Sequence, residues 1–120
     1  LGFVTYHLPS GREDWIGLTG ALQNSQPAIW IQKNVDTSSI CASVDSFLTA
    51  MGLVRTGNGK TLLPCVIGDA CADLVRSDKA GQDMAVPIWV ASHRDLAQVP
   101  RIAAVRTELA GLLRDLPGLR

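Results

Sequence analysis

The residues best placed to bind a ligand are Asp45, Ser46 and Phe47, at the predicted start of a helix. The helix is amphipathic, because Phe47, Met51 and Val54 recur at four- and three-residue steps on one face. The short side chain of Asp45 or Ser46 can cap it by accepting a hydrogen bond from a free amide. The free amides and partial positive charge of a helix start suit a small carboxylate. The Asp45 carboxylate would repel such an anion unless it points away.

These residues also fit a purely structural role, in which Ser46 caps the helix and Phe47 belongs to the core. The two interpretations are compatible, because a capping residue at the wall of a cleft can also contact a ligand. Both therefore stay open at this point.

The segment Gly57-Asn58-Gly59-Lys60-Thr61 only superficially resembles a phosphate-binding loop. The Walker pattern needs a glycine four residues before Gly-Lys-Thr, and that position is Val54. The order of elements is also reversed, because a phosphate loop runs from a strand into a helix. Here a helix ends at Gly57 and a strand follows, so we exclude nucleotide binding.

Metal and nucleophile chemistry have no clear sequence signal. The histidines, His7 and His93, form no close-spaced ligand pair with Cys41, Cys65 or Cys71. No Gly-x-Ser-x-Gly elbow is present for a serine hydrolase. We therefore predict a non-catalytic protein with no metal and no cofactor.

The remaining polar and aromatic candidates have simpler explanations. Asp69 and Asp73 are a carboxylate pair four residues apart, which we interpret as solvated surface acids. Trp15, Trp30 and Trp89 are interpreted as packing residues rather than a sugar platform.

The length and composition of the chain limit the classes of protein to which it can belong. With 120 residues, 47% of them hydrophobic, the chain is one domain, or part of one, that can bury a core. The formal net charge is zero and the basic residues are scattered, so the chain itself is a poor nucleic-acid binder. No apolar run is long enough to cross a bilayer, and no export leader is evident.

The cysteines predict a reducing compartment. Their number, three, is odd and none forms a CxxC pair, which favours reduced thiols in the cytoplasm. Cys41 and Cys65 lie in apolar contexts and are interpreted as small hydrophobic residues. The chain begins with Leu1 inside a predicted strand, which suggests a fragment of a longer protein.

Alternation and turn signals divide the chain into elements. Residues 28–33 are assigned to a strand because Ile29 and Ile31 alternate with Trp30 and Gln32. The other predicted strands are residues 2–6, 15–18, 40–44, 60–65, 73–76 and 86–91, with a helical turn within 66–72 and a loop at 77–85. Strands alternating with helices indicate an α/β fold.

The last predicted helix has the clearest pattern. It opens at Pro100 and stops at Pro117-Gly118. A single apolar stripe runs along it at three- and four-residue steps: Ile102, Val105, Leu109, Leu112 and Leu116.

A series of short motifs resembles the effector-binding half of LysR-type transcriptional regulators. The motifs are Gly57-Asn58-Gly59-Lys60-Thr61-Leu62-Leu63-Pro64, Gly68-Asp69-Ala70, Leu74-Val75-Arg76, Trp89-Val90-Ala91-Ser92-His93-Arg94-Asp95-Leu96 and Val99-Pro100-Arg101-Ile102. Each is weak alone, but their order and spacing from about residue 44 to 110 carry the resemblance.

The resemblance implies a partial α/β fold of the periplasmic-binding-protein-like (type 2) class, with two subdomains joined by two crossing strands. Residues 7–85 would form the second subdomain, and residues 86–120 a crossover strand and a helix returning to the first. Residues 2–6 would be the other crossover. The first subdomain would be mostly missing and the DNA-binding helix-turn-helix absent, which would leave the apolar stripe partly exposed and the piece prone to self-association.

The resemblance also implies a function and a site. A small anionic effector would bind in the cleft between the subdomains, against Asp45, Ser46, Phe47, Pro64 and Cys65. The whole regulator would be a bacterial, cytoplasmic dimer or tetramer with no membrane partner, which binds DNA only through its missing N-terminal domain. Effector binding would shift it between two arrangements on DNA.

Two other classes stay open. Half of a periplasmic solute-binding protein would share the fold and would be favoured by an export leader upstream of Leu1. A small α/β enzyme is a weaker alternative, since no set of nucleophile, base and orienting residue is visible.

Overall fold

The computed structural model describes residues 1–77, 84–116 and 119. Its strands are β1 (Gly2–His7), β2 (Trp15–Leu18), β3 (Ile40–Val44), β4 (Thr61–Pro64), β5 (Val75–Arg76) and β6 (Met84–Ala85). Its α-helices are α1 (Gln26–Asn34), α2 (Phe47–Arg55), α3 (Cys65–Gly68) and α4 (Pro100–Asp115). The chain is thus a mixed α/β structure, as the alternating pattern predicts.

β1 lies between strands that come from later in the chain. It pairs antiparallel with β4 on one side, where Phe3 is opposite Pro64 and Tyr6 is opposite Thr61. On its other side it pairs antiparallel with β5 and β6. β1 is therefore the central strand of its sheet.

A second, parallel pair continues the array beyond β4. β2 and β3 run parallel, and a parallel bridge between Trp15 and Lys60 joins β2 to the start of β4. The Thr61 hydroxyl donates a 2.8 Å hydrogen bond to the Ile16 carbonyl across the same junction. The spatial order is β3, β2, β4 and β1, with β5 and β6 beyond β1. β2, β3 and β4 thus share one direction, which β1 opposes.

The core forms where helices cover this array. Leu62 and Leu63 in β4 are both fully buried. Because adjacent strand residues point to opposite faces, both faces of β4 are covered. Ile31 of α1 and Val54 of α2 are among the residues that complete the core.

α2 begins and ends as predicted. Ser46 caps it, since its hydroxyl accepts a 3.2 Å hydrogen bond from the Leu48 amide. At the other end Gly57 has a φ of +80°, a left-handed conformation that glycine adopts without steric cost.

The strand predicted at residues 28–33 is wrong, because this segment is α1. The Ser25 hydroxyl accepts a 3.3 Å hydrogen bond from the Ala28 amide, and Pro27 occupies the first turn. Ala28 and Ile31, three residues apart, are buried while Ile29 is 38% exposed. The buried residues therefore share one face of a helix, whereas the alternation of a strand would have placed Ile29 and Ile31 on the same buried face.

The strand predicted at residues 86–91 is also wrong. Pairing with β1 occurs at Met84–Ala85, inside the segment predicted as a loop, of which residues 78–83 lie outside the described part. The pairing extends only to Val86. The Val86 amide donates a 2.8 Å hydrogen bond to the Leu1 carbonyl, and the amino group of Leu1 donates a 2.7 Å hydrogen bond to the Val86 carbonyl. Pro87, which has no amide hydrogen, follows directly.

α4 opens at Pro100 as predicted but packs little against the rest. None of its residues is buried, and Leu112 is 62% exposed. The radius of gyration is 16.5 Å, whereas a compact domain of this length has about 13.6 Å. The apolar stripe is therefore exposed to solvent. Its predicted stop, Pro117-Gly118, lies outside the described residues.

The tryptophans divide into two groups. The rings of Trp15 and Trp30 pack 5.8 Å apart, as expected for packing residues. Trp89 is 84% exposed, so the packing role predicted for it is wrong. It lies in the irregular segment after β6, where no helix or strand covers it.

We predict that Gly68→Ala destabilises the fold by about 1–3 kcal/mol, the usual range for overpacking a core. A Cβ at this position would overlap the buried ring of Tyr6. Gly52→Ala is the control, because no atom lies within 4 Å of the added Cβ in the middle of α2. Helix propensity predicts that this control gains roughly 1 kcal/mol. Urea denaturation measures both, and equal effects would contradict the prediction.

We also predict that the chain self-associates through the stripe of α4. Leu112→Glu should weaken association roughly tenfold or more, since it places a charge where a leucine would be buried. Ala104→Glu adds the same charge at an exposed position of α4 off the stripe and should have little effect. Sedimentation velocity over a concentration series distinguishes these outcomes, and a monomeric native chain would refute the prediction.

Candidate functional site

The predicted site residues converge only in part. The ring of Phe47, the first residue of α2, lies 5.5 Å from that of Phe3 in β1 and is tilted by 47° to it. Phe3 lies opposite Pro64, the buried last residue of β4. Cys65 follows at the start of α3 and is 1% exposed. Three of the predicted residues thus gather around the N-terminal half of β1.

The other two predicted residues lie at the open start of α2. Asp45 is exposed, and Ser46 is half-buried and uses its hydroxyl as the helix cap. The Asp45 side chain packs beside Gly20, where an added Cβ would lie 3.0 Å from the Asp45 Cβ. The capping role of Ser46 is therefore confirmed, and its contact with an effector stays a prediction.

A cavity of about 540 Å³ adjoins this cluster. Its size falls within the range of small-molecule sites. Arg76 is the charged side chain among the described residues of its lining, which is otherwise mostly apolar. The lining consists of Leu1, Gly2, Phe3, Val4, Cys65, Arg76, Met84, Ala85, Val86 and Pro87.

Arg76 is held by a network that the sequence analysis did not predict. Its Nε donates a 2.9 Å hydrogen bond to Asp69 Oδ1, and its Nη2 donates to Asp69 Oδ2. The Tyr6 hydroxyl donates a 2.6 Å hydrogen bond to the same Oδ1. A bidentate pair of this kind fixes the plane of the guanidinium as well as its position.

The network changes the protonation of its members. Hydrogen bonding to Arg76, and secondarily to Tyr6, holds the pKa of Asp69 below its usual value of 3.8. Burial, and then the hydrogen bond to Asp69, raises the pKa of the Tyr6 hydroxyl. The hydrogen bond to Asp69 likewise raises the pKa of Arg76. Near neutral pH the network is therefore a neutral phenol, a carboxylate and a guanidinium.

Asp69 and Asp73 are exposed, as expected for surface acids, but each carboxylate belongs to a separate ion pair. Asp69 bonds Arg76 and Tyr6, whereas Asp73 forms a separate 3.2 Å ion pair with Arg55. No local pattern could have revealed the contact between Tyr6 and Asp69, because these residues are 63 positions apart.

The cysteines and histidines do not form a site among the described residues. Cys65 and Cys71 are buried, but Cys41 is exposed, so its interpretation as a small hydrophobic residue in an apolar context is wrong. Its sulfur lies 3.3 Å from the Asn58 carbonyl at the surface side of β3. In the described part of the chain no group of three or more His, Cys, Asp or Glu side chains could hold a metal.

A larger cavity, of about 1100 Å³, lies away from these residues. It opens between α4 and the segment after β6, where Ile88 and Leu113 are among its lining residues. None of the predicted site residues lines it. Asp45, Ser46, Phe47 and Pro64 do not line the smaller cavity either, but Cys65 does, so we place the candidate site at the smaller cavity beside β1.

Comparison with protein-family models, curated proteins and solved structures finds no match to this chain. Within the described residues, no helix has the length and apolar character needed to span a membrane.

We predict that Asp69 stabilises the fold in a pH-dependent way. Because its pKa is lower in the folded chain, its contribution is present above pH 3.8 and is lost as the pH falls below that value. The difference in free energy of unfolding between the native chain and Asp69→Asn should therefore shrink as the pH falls from neutrality to about 3. Urea denaturation at a series of pH values measures it. Asp73→Asn removes the carboxylate of a comparable ion pair and is the control; a constant difference for Asp69→Asn would refute the prediction.

Proposed function

We propose that this chain is the effector-sensing part of a LysR-type DNA-binding transcriptional regulator. The observation that carries the proposal is the position of β1, an antiparallel strand between β4 and the later strands. A strand that arrives from a neighbouring subdomain would be inserted in this way.

The segment after β6 supports a second crossing. β6 pairs antiparallel with the start of β1, and Val86 bonds Leu1 in both directions. The chain thus enters along β1 and leaves beside it in the opposite direction. Two adjacent antiparallel connections are what a two-subdomain, periplasmic-binding-protein-like (type 2) fold requires of its second subdomain.

Most of the motifs that carry the resemblance fall on elements that suit it, although the Trp89 motif lies in an irregular segment and not in a strand. Gly57 ends α2, and Leu62-Leu63-Pro64 forms the buried part of β4. Gly68 and Asp69 end α3, and Val75–Arg76 is β5.

The exposed stripe of α4 is consistent with a missing first subdomain. An amphipathic helix gains little stability in water unless its apolar face is covered. In this proposal α4 returns to the first subdomain, and residues 7–85 form the second.

The effector would bind between the subdomains, at the end of the sheet where α2 and α3 begin. Ser46 and Phe47 open α2, and Pro64 and Cys65 join β4 to α3. The free amides of a helix start attract an anion. We propose a non-catalytic role, in which a small anionic metabolite changes how a cytoplasmic homo-oligomer holds DNA through a separate N-terminal domain.

The coding sequence upstream of Leu1 tests the proposal. We expect it to continue in frame through a first α/β subdomain and to open with a basic helix-turn-helix, which would supply the phosphate and base contacts this chain lacks. An export leader in its place would contradict the regulator and assign the chain to a solute-binding protein. A start codon immediately before Leu1 would refute both assignments.

A gel-shift titration of the encoded full-length protein then measures DNA binding directly. The matched control is the same protein without its helix-turn-helix. We expect only the intact protein to bind, with an affinity that falls as salt rises. Equal binding by both would contradict a DNA-binding role confined to the N-terminal domain.

A further inference from the structure

We propose that the larger cavity, of about 1100 Å³ between α4 and the segment after β6, binds a medium-chain fatty acid with its carboxylate at Arg106. This cavity is separate from the candidate site beside β1. The inference goes beyond the proposed function and does not depend on it.

The cavity and the apolar stripe lie on different faces of α4. Arg106, Ala110 and Leu113 line the cavity at four- and three-residue steps, which places them on one face, roughly 120° around the helix from the centre of the stripe. These three residues are half-buried, whereas Val105 and Leu112 of the stripe are 57% and 62% exposed. A subdomain that covers the stripe therefore leaves the face with Arg106 available to a ligand.

One end of the cavity holds an oriented cation. Nη1 of Arg106 donates a 3.2 Å hydrogen bond to the Ser92 hydroxyl, which keeps its own proton to donate to a second acceptor. Arg106 and Arg114 are the charged side chains among the described residues of the lining, which include no Asp or Glu. Arg114 is exposed and no described contact orients it. Arg106 is therefore the position for a carboxylate, whose geometry its planar fork matches.

The end of the cavity away from Arg106 is apolar. Leu1, Leu116 and Leu119 line it. The Gly2 amide donates a 2.7 Å hydrogen bond to the Leu119 carbonyl, which ties this end to the start of β1. α4 rises about 15 Å from residue 106 to residue 116, which is close to the length of an extended medium-chain fatty acid.

The walls between the two ends select an unbranched apolar chain. Ile88 and Val90, two residues apart, form the wall opposite Ala110 and Leu113. Each methylene group buried between such walls tightens binding by about threefold to fourfold. A polyanion would bring further charges against these apolar walls without partners, and a neutral lipid would leave Arg106 without an anion. A single chain with one terminal carboxylate matches both the end with Arg106 and the walls.

Calorimetric titration of the full 120-residue chain with decanoate, below its micelle concentration, tests the assignment. We expect saturable binding of one decanoate per chain. Octanoate, shorter by two methylene groups, should bind about tenfold more weakly. Decanol has the longer chain without the charge and should also bind about tenfold more weakly, because it cannot form the charge-assisted hydrogen bond to Arg106.

Arginine variants test the position of the carboxylate. Arg106→Gln should weaken decanoate binding about tenfold. Arg101→Gln is the matched control, because it removes the same charge from an exposed position of α4 outside the cavity, and it should leave the affinity unchanged. Arg106→Lys keeps the charge without the fork and should bind with intermediate affinity, which separates a binding role from loss of folding.

Variants that change volume locate the chain of the ligand. Ala110→Phe fills the cavity and should weaken decanoate binding about tenfold or more. Ala104→Phe adds the same ring at an exposed position of α4 away from both the cavity and the stripe, and it should have little effect. Leu112→Glu places a charge on the stripe and should leave the affinity for decanoate unchanged.

Four outcomes would overturn the inference. They are equal binding of decanoate and decanol, unchanged affinity in Arg106→Gln, unchanged affinity in Ala110→Phe, or a loss of affinity in Leu112→Glu, which would place the ligand on the stripe. The proposed function fails separately. If the upstream sequence lacks a helix-turn-helix while decanoate binds as expected, the regulator assignment is wrong and the fatty-acid site stands.

Discussion

The fold depends on the insertion of β1 between strands that are distant from it in sequence. β4, β5 and β6 all pair with this one strand. Without it, β5 and β6, of two residues each, would have no described strand partner, and the buried strand β4 would expose an edge. Such an edge is a template for pairing with other chains. The candidate site depends on the same strand, because Phe3 contacts Phe47 and Tyr6 bonds Asp69.

Local chemistry was enough to predict much of the fold. β1, α2, β4 and α4 follow from periodicity, from the Ser46 cap and from the glycine and proline stops. The sequence assigns α1 to a strand, because the six residues 28–33 fit the alternation of a strand as well as they fit one face of a short helix. The Ser25 cap and Pro27 in the first turn were available signals that favour the helix. Where a short segment fits both the period of a strand and the period of a helix, the residues just before the segment are more informative than those within it.

The site was less predictable than the fold, for a reason that Arg76 illustrates. Helix starts can be located from local sequence, so Ser46 and Phe47 were found. A guanidinium in a cavity wall becomes visible only when β1, β5 and α3 are assembled, because each contributes one member of its network. Asp69 is a surface acid, as the sequence predicts, but the partners of its carboxylate, Tyr6 and Arg76, lie outside its own helix. Polar contacts between residues far apart in the sequence therefore become visible only in the three-dimensional structure.

The sparse packing of α4 has a consequence for how the molecule responds to heat and solvent. Among the described contacts, a 3.2 Å hydrogen bond from Arg106 to Ser92 ties it to the segment before it, and its own residues contribute nothing to the buried core. Local opening of such a helix is independent of global unfolding. Its amides should therefore exchange with deuterium long before those of β4. Far-ultraviolet circular dichroism should then record a shallow early loss of helix, followed by the cooperative melting of the sheet.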